Sequence, residues 1–301
     1  MSGATLCLAP ILRHANIQPL SRFHPPPKGP PHMQTLPLLD SHTIPQLGFG
    51  LWQIADAARV TADALQMGYR LVDGAAIYGN EVGMGQGIRA SGIPRDDIFI
   101  TTKVWNDRQG YDATLQAVSE SLERLALDRL DLCLIHWPCA ARDRYVDTWR
   151  ALIKLRDEGT ITSIGTSNFN AEQIDRLTTE TGVIPVLNQI ELHPQLQQTA
   201  LRAAHAKRGI ITQSWTPLGG GKSFATPTIQ AIAKRLNRTP AQVVLRWHLD
   251  LGLSAIPRSS RAAGLTENLA AGDFTLTADD HKAIAALDQN KRIGPDPAVF
   301  G

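Results

Sequence analysis

The chain is 301 residues long, with 30 basic and 28 acidic side chains and three cysteines. Arg13, Arg22 and Lys28 fall in an acid-free stretch before position 33, so the rest of the chain carries 27 basic against 28 acidic residues. A near-neutral body with no basic face gives no support for nucleic acid or a membrane surface as partner and favours a small-molecule substrate, and no stretch reaches the roughly 18 apolar residues of a spanning helix.

Seven of the nineteen prolines lie before position 32. Pro25-Pro26-Pro27 and Pro30-Pro31 forbid regular helix, so residues 1–33 are expected to form a disordered Pro-rich leader. Its apolar patch, Leu6 to Leu12, is interrupted by Pro10 and lacks a basic flank, which argues against a secretory signal. The acid-free, Arg-containing composition weakly resembles a transit peptide, and Met33 is the expected start of the native chain. Cys7, Cys133 and Cys139 follow no metal-ligand spacing and read as reduced thiols in the cytoplasm.

Residues 34–301 read as one domain. Thr35 to Pro45 has the pattern of a hairpin, turning at Asp40-Ser41-His42. Beyond Pro45, short apolar or β-branched runs alternate with helical patterns. The expected strands are Gln46 to Phe49, Arg70 to Val72, Ile98 to Thr102, Leu130 to Ile135, Ile161 to Ile164, Val186 to Gln189, Ile210 to Ser214 and Ser254 to Ile256. Helical spacing marks Ala57 to Met67, Tyr111 to Leu125, Tyr145 to Arg156, Ala171 to Thr179 and Thr199 to Lys207. Eight strands alternating with helices predict a single-domain (β/α)8 TIM barrel, its lower end plugged by the N-terminal β-hairpin. Gly83, Gly85 and Gly87 spell GxGxG, but they lie inside a helical stretch and do not follow a strand directly, so they predict close helix packing and not a dinucleotide fingerprint.

In such a barrel the catalytic side chains come from the carboxyl ends of several strands. Asp73, Lys103 and His136 close the second, third and fourth strands, and Tyr78 sits in the loop after the second. Taken singly, each has an ordinary alternative: a packed loop tyrosine, a solvated strand-end lysine, a core histidine. Together they form a proton donor for carbonyl reduction. Lys103 is expected to lower the pKa of Tyr78, with Asp73 holding the lysine and His136 orienting the carbonyl oxygen.

GYRLVDGAAIYGNE at 68–81, ITTKVWN around Lys103 and LIHWP around His136 resemble the aldo-keto reductases, in particular the bacterial branch that includes 2,5-diketo-gluconate reductases. The resemblance runs from about Ile44 to Phe300. It implies reversible, NADPH-dependent reduction of aldehydes and ketones without a metal, with Asp73, Tyr78, Lys103 and His136 as the catalytic set. Ser167, Asn168 and Gln189 have side chains suited to an amide, although loop capping would explain them equally. The resemblance assigns them to the nicotinamide carboxamide, and Trp215 to stacking on the ring. Leu218, Gly219 and the glycines that follow would let the backbone approach a pyrophosphate. The segment Ile256, Arg258, Ser259, Ser260, Gly264, Glu267 and Asn268 matches the adenosine end, with two departures: Arg258 stands at the usual lysine and Gly264 at a usual arginine. Arg258 can grip a 2′-phosphate as a fork, and Arg261 is the candidate replacement for the missing arginine. NADPH is therefore the expected cofactor, with reduced discrimination against NADH.

Trp52, Trp105 and His136 are the expected substrate-binding residues, with Trp137 nearby. Arg142 and Arg144 are available for an acidic substrate, and the tail from Arg292 to Phe300 is expected near the active-site mouth by resemblance. The expected partner is a small-molecule carbonyl, the expected state a monomer. A catalytically idle NADP(H)-binding regulatory barrel is the alternative function. A glycosidase, which would need a second acid such as Glu191 facing Asp73, fits poorly because Lys103 already accounts for Asp73.

Overall fold

The computed structural model describes residues 34–301; the expectations for the leader lie outside the described residues. Thr35–Pro37 (β1) and Thr43–Pro45 (β2) form an antiparallel hairpin with Leu36 opposite Ile44. Eight parallel strands follow: Phe49–Gly50 (β3), Leu71–Asp73 (β4), Phe99–Val104 (β5), Leu130–Ile135 (β6), Ile161–Ser167 (β7), Leu187–Glu191 (β8), Ile211–Trp215 (β9) and Ser254–Ala255 (β10). The first and last are joined by the Leu47–Ala255 bridge and by the Gly50 amide donating to the Pro257 carbonyl at 3.1 Å, which closes the barrel.

Helices alternate with these strands: Ala57–Gln66 (α1), Glu81–Ala90 (α2), Tyr111–Leu125 (α3), Tyr145–Asp157 (α4), Ala171–Thr181 (α5), Thr199–Arg208 (α6), Pro227–Leu236 (α7), Pro240–Asp250 (α8), Ala262–Leu269 (α9) and Ala278–Ala285 (α10). Local chemistry sets several of their starts. Asn170 and Gln173 form a reciprocal capping box at α5, and Thr239 with Gln242 does the same at α8, where Pro240 occupies the first helical position.

The hairpin sits at the amino-terminal end of the barrel. Asp40 accepts a 2.6 Å hydrogen bond from Ser163 near the start of β7, and Leu38 and Ile44 pack with Leu71, Leu132, Leu134 and Leu187. The three glycines of α2 do serve packing. A Cβ on Gly85 would collide with the Leu125 carbonyl, and one on Gly87 with the Ala58 carbonyl, so α2 lies close against α1 and the end of α3.

Several strands reach further toward the carboxyl end than their local sequences predict, β5 to Val104 and β7 and β8 among them. β7 continues to Ser167 because Thr166 and Ser167 pair with Asn188 and Gln189 of β8, and β8 itself continues to Glu191, opposite Trp215. Ser167 and Trp215 are thus the last residues of their strands and do not follow them, and Gln189 lies within its strand. Pairing with a distant strand overrides the weak strand tendency of Ser and Asn.

Candidate active site

The carboxyl ends of β4, β5 and β6 bring the four expected groups to one place. Lys103 Nζ donates to Asp73 Oδ1 at 2.5 Å and to the Gly74 carbonyl at 2.8 Å, and it lies 3.4 Å from the Tyr78 hydroxyl. Tyr78 ends a single 3-10 turn, Ala76–Tyr78, and Gly79 at φ 68° reverses the chain directly after it. His136 follows β6, its backbone held by the Val104 carbonyl at 3.1 Å. Its ring centroid is 5.8 Å from that of Tyr78, nearly edge-on.

Burial and pairing set the charges. Burial alone would lower the pKa of Lys103, but Asp73 and Tyr78 raise it above its ordinary value, so the ammonium is kept. Burial pushes the Asp73 carboxyl up, against the pull of Lys103 and Gln189. For Tyr78 the net direction is opposite to the expected lowering: burial pushes the phenol up, Lys103 offsets only part of this, and Asp73 adds to the rise. A phenol that keeps its proton beside an ammonium can still donate it to an oxygen on which negative charge develops. Burial, with Lys103, holds His136 well below the ordinary histidine range, and its Nδ1 has no hydrogen-bond partner among the described residues. A neutral imidazole results.

Behind the pair runs a polar chain that local sequence does not reveal. Gln189 Nε2 donates to Asp73 Oδ2 and to Gln213 Oε1, both at 2.7 Å, and Gln213 Nε2 donates to Ser254 Oγ at 3.0 Å. Gln189, expected only at the cofactor, therefore supports Asp73.

The residues expected at a cofactor gather beside this set. Asn168, in the left-handed region at φ 66°, donates to the His136 carbonyl and to Ser167 Oγ, both at 3.0 Å. Ser167 Oγ donates to the Gln189 carbonyl at 3.0 Å. The half-buried Trp215 indole donates to Asn168 Oδ1 at 2.8 Å. After Leu218, Gly219, Gly220 and Gly221 take φ of 58°, 60° and 77°, and a Cβ on Gly220 would meet nothing within 4 Å, so the backbone there is open to a phosphate. Ile256 and Asn268 are buried in the frame of this region, and the Glu267 carbonyl is tied to Gln242 at 3.1 Å.

Arg258 is exposed and donates to Gln53 Oε1 at 2.6 Å and to the Trp52 carbonyl at 3.3 Å. The Ser259 hydroxyl bonds the Arg261 backbone at both N and O. A Cβ at Gly264 would meet Ser259 Oγ, so an arginine there would require that hydroxyl to turn away. Arg59 of α1, which sequence reading misses, donates to the Ser260 carbonyl at 3.3 Å and brings a second guanidinium to this loop. A flat indole, an open glycine backbone and two guanidinium groups fit a dinucleotide bearing a 2′-phosphate.

A protein-family model, the aldo/keto reductase family, matches residues 46–289. The chain belongs to the aldo/keto reductase family. It is similar to an aldo-keto reductase of Mycolicibacterium smegmatis, 50% identical over 265 residues that cover 87% of this chain and 96% of the relative. It is also similar to the methylglyoxal reductase DkgA of Yersinia pestis, 48% identical over 268 residues covering 88% and 96%. Among solved structures, a variant of Gox0644 in complex with NADPH superposes with a TM-score of 0.86 at 47% identity, covering 89% of this chain and 99% of that one. An aldo/keto reductase from Brucella melitensis gives a TM-score of 0.83 at 50% identity, covering 85% and 98%.

Aromatic rings wall the mouth of this aldo/keto reductase barrel. Trp52 lies 5.0 Å from Tyr78 and Trp105 5.0 Å from His136, measured between centroids, so both expected tryptophans stand beside the expected catalytic set. Trp137 lies 6.4 Å from Trp215. Phe300, at the end of the tail expected near the mouth, lies tilted against Trp137 with ring centroids 4.6 Å apart and stands 6.4 Å from Trp105. Arg142 and Arg144 are exposed, and Arg142 donates one hydrogen bond to the Asn106 carbonyl at 3.1 Å.

Proposed function

We propose that this aldo/keto reductase carries out NADPH-dependent, reversible reduction of small aldehydes and 2-oxo carbonyls, with Tyr78 as general acid. The enzyme is an NADP(H)-dependent oxidoreductase, as its family and its reductase relatives indicate. One observation carries the assignment of the acid: a single ammonium, Lys103 Nζ, bridges Asp73 at 2.5 Å and the Tyr78 hydroxyl at 3.4 Å.

Bound NADPH supplies the hydride that adds to the carbonyl carbon. As the carbonyl π bond breaks, the Tyr78 O–H proton passes to the oxygen, and the phenolate left behind is stabilised by Lys103. Asp73 keeps the lysine charged and in place. Neutral His136 orients the carbonyl oxygen without competing as an acid. When the cofactor is bound, Ser167, Asn168 and Gln189 would hold its carboxamide, Trp215 would support the nicotinamide, the backbone from Leu218 through Gly221 would receive the pyrophosphate, and Arg258 and Ser259 would receive the 2′-phosphate.

The aromatic mouth formed by Trp52, Trp105, Trp137 and Phe300 favours a carbonyl with some apolar body. The methylglyoxal reductases among its relatives favour a 2-oxo aldehyde over a sugar acid. The reading includes a cytoplasmic monomer; Cys133 and Cys139 are buried thiols, and no helix among the described residues is long and apolar enough to cross a membrane. A panel of methylglyoxal, phenylglyoxal, simple ketones and diketo acids, run with NADPH and with NADH, tests it. The expected outcome is turnover of the 2-oxo aldehydes with NADPH preferred. Cofactor binding without turnover of any carbonyl would favour the regulatory alternative.

A further inference from the structure

Glu191 is the buried acid that carbonyl reduction does not use. It ends β8 with its carboxylate sealed from solvent, and three donors converge on it: His193 Nε2 at 3.1 Å and the Ile293 amide at 2.6 Å on Oε1, and the Gly294 amide at 3.1 Å on Oε2. The Arg292 guanidinium stands 3.9 Å away. A buried carboxylate is tolerated only where such donors replace water. Two of the three belong to the backbone of a segment that lies beyond α10 and has no strand or helix of its own.

The remaining backbone hydrogen bonds within the segment are local, from the Val299 and Phe300 amides to the Asp296 carbonyl, and its far end packs where Gly301 meets Cys139. Ile293 and Val299 are exposed, so burial of aliphatic side chains does not dock it. The amides of Gln289 and Lys291 share the Gln195 carbonyl at 3.1 Å just before it. Gly294 then passes so close to the Trp215 ring that a Cβ would collide with it, and six residues later Phe300 reaches Trp137 and Trp105 at the mouth. Burial raises the Glu191 pKa, but the His193, Ile293 and Gly294 hydrogen bonds outweigh it and leave the carboxyl below its ordinary range, so the contacts are charge-assisted.

We infer that Glu191 is the clasp that docks the segment from Arg292 to Phe300 across Trp215, and that by holding Phe300 in the mouth it sets which carbonyl bodies the pocket accepts. Glu191 is thus a positioning residue that determines specificity; it touches neither the carbonyl nor the hydride. The inference rests on the reductase reading for its effect on substrates, but not for the docking itself.

The test measures amide hydrogen exchange of residues 292–300 and steady-state kinetics in the wild type, Glu191→Ala, Phe300→Ala and the double variant. In Glu191→Ala, exchange of the segment rises by about tenfold or more. The KM for phenylglyoxal rises by about tenfold while kcat stays within about threefold, and the KM for methylglyoxal, too small to reach Phe300, moves less. The double variant is no worse than the more impaired single variant, because both remove the same wall. Wild-type exchange in Glu191→Ala, or fast exchange without the KM split, overturns the clasp. Should Glu191→Ala fail to fold, Glu191→Gln keeps the size of the side chain while removing the charge that the Ile293 and Gly294 amides grip, and the same split or its absence decides. If the wild type reduces no carbonyl at all, the reductase reading fails, while the exchange arm still decides whether Glu191 docks the tail.

Discussion

The Trp215 indole nitrogen donates to Asn168 Oδ1 at 2.8 Å, so the ring proposed to support the nicotinamide and the amide proposed to hold its carboxamide form one unit. Asn168 is in turn fixed to the His136 carbonyl. Replacing Trp215 with Phe keeps a flat ring but leaves Asn168 Oδ1 without its donor. The expected cost is about 1 kcal/mol, read as a roughly fivefold rise in NADPH Kd by fluorescence titration, with less effect on the KM of the carbonyl.

Tyr78→Phe removes one hydroxyl whose only partner among the described residues is Lys103. The barrel should remain folded and NADPH should bind with near wild-type affinity. The loss of kcat should be about 10²-fold or greater, the usual scale for removing a positioned proton donor. Stopped-flow measurement of NADPH oxidation checks it, and near-full activity would refute the assignment of the acid.

Arg258→Ala removes the fork proposed to meet the 2′-phosphate and also frees Gln53. KM for NADPH should rise by about tenfold or more while KM for NADH changes little, because a charge-assisted contact of about 1.5–3 kcal/mol is lost to one cofactor only. Arg59→Ala should move the same ratio in the same direction by a smaller factor, since Asp56 and Asp63 already partner that guanidinium.

Acid should destabilise the fold well before its carboxylates titrate. Burial lowers the pKa of His205 to about 4 and of His248 to about 3, and holds His136 well below 6.5. In the unfolded chain these histidines take up protons near pH 6.5, so between pH 6.5 and about 4 the unfolded state binds more protons and stability falls as pH falls. Three such groups give a loss of up to about 4 kcal/mol between pH 7 and 5.5. Urea unfolding at the two pH values measures it, and the histidines should contribute no comparable change between pH 7.5 and 8.5.

What could be read without coordinates is what depends on neighbours in sequence. Asp73, Lys103 and His136 stand at strand ends that apolar runs mark locally, and the barrel rim does the rest. The GxGxG run in α2 was also readable as packing, because its setting inside a helical pattern is local. The net rise of the Tyr78 pKa was not, since it depends on how far the phenol is buried and not on the lysine that lies 25 positions away in sequence. The extension of β7 to Ser167, the place of Arg59 beside Ser260 and the grip of Glu191 on Ile293 all join segments remote in sequence. Gly264 shows both sides: its departure from the family pattern was visible in the chain, but the Ser259 hydroxyl that fills the space was not.

The polar chain behind Asp73 bears on how the enzyme is reset between turnovers. Lys103 directs its hydrogen bonds to Asp73, Gly74 and Tyr78, and Asp73 meets Gln189, then Gln213, then Ser254. Amides and an alcohol hydroxyl do not release protons in the physiological range, so behind the Lys103 ammonium the described chain offers no further acid from which the proposed donor Tyr78 could be recharged. A proton spent on the product must be replenished from the mouth, through the opening by which the alcohol leaves.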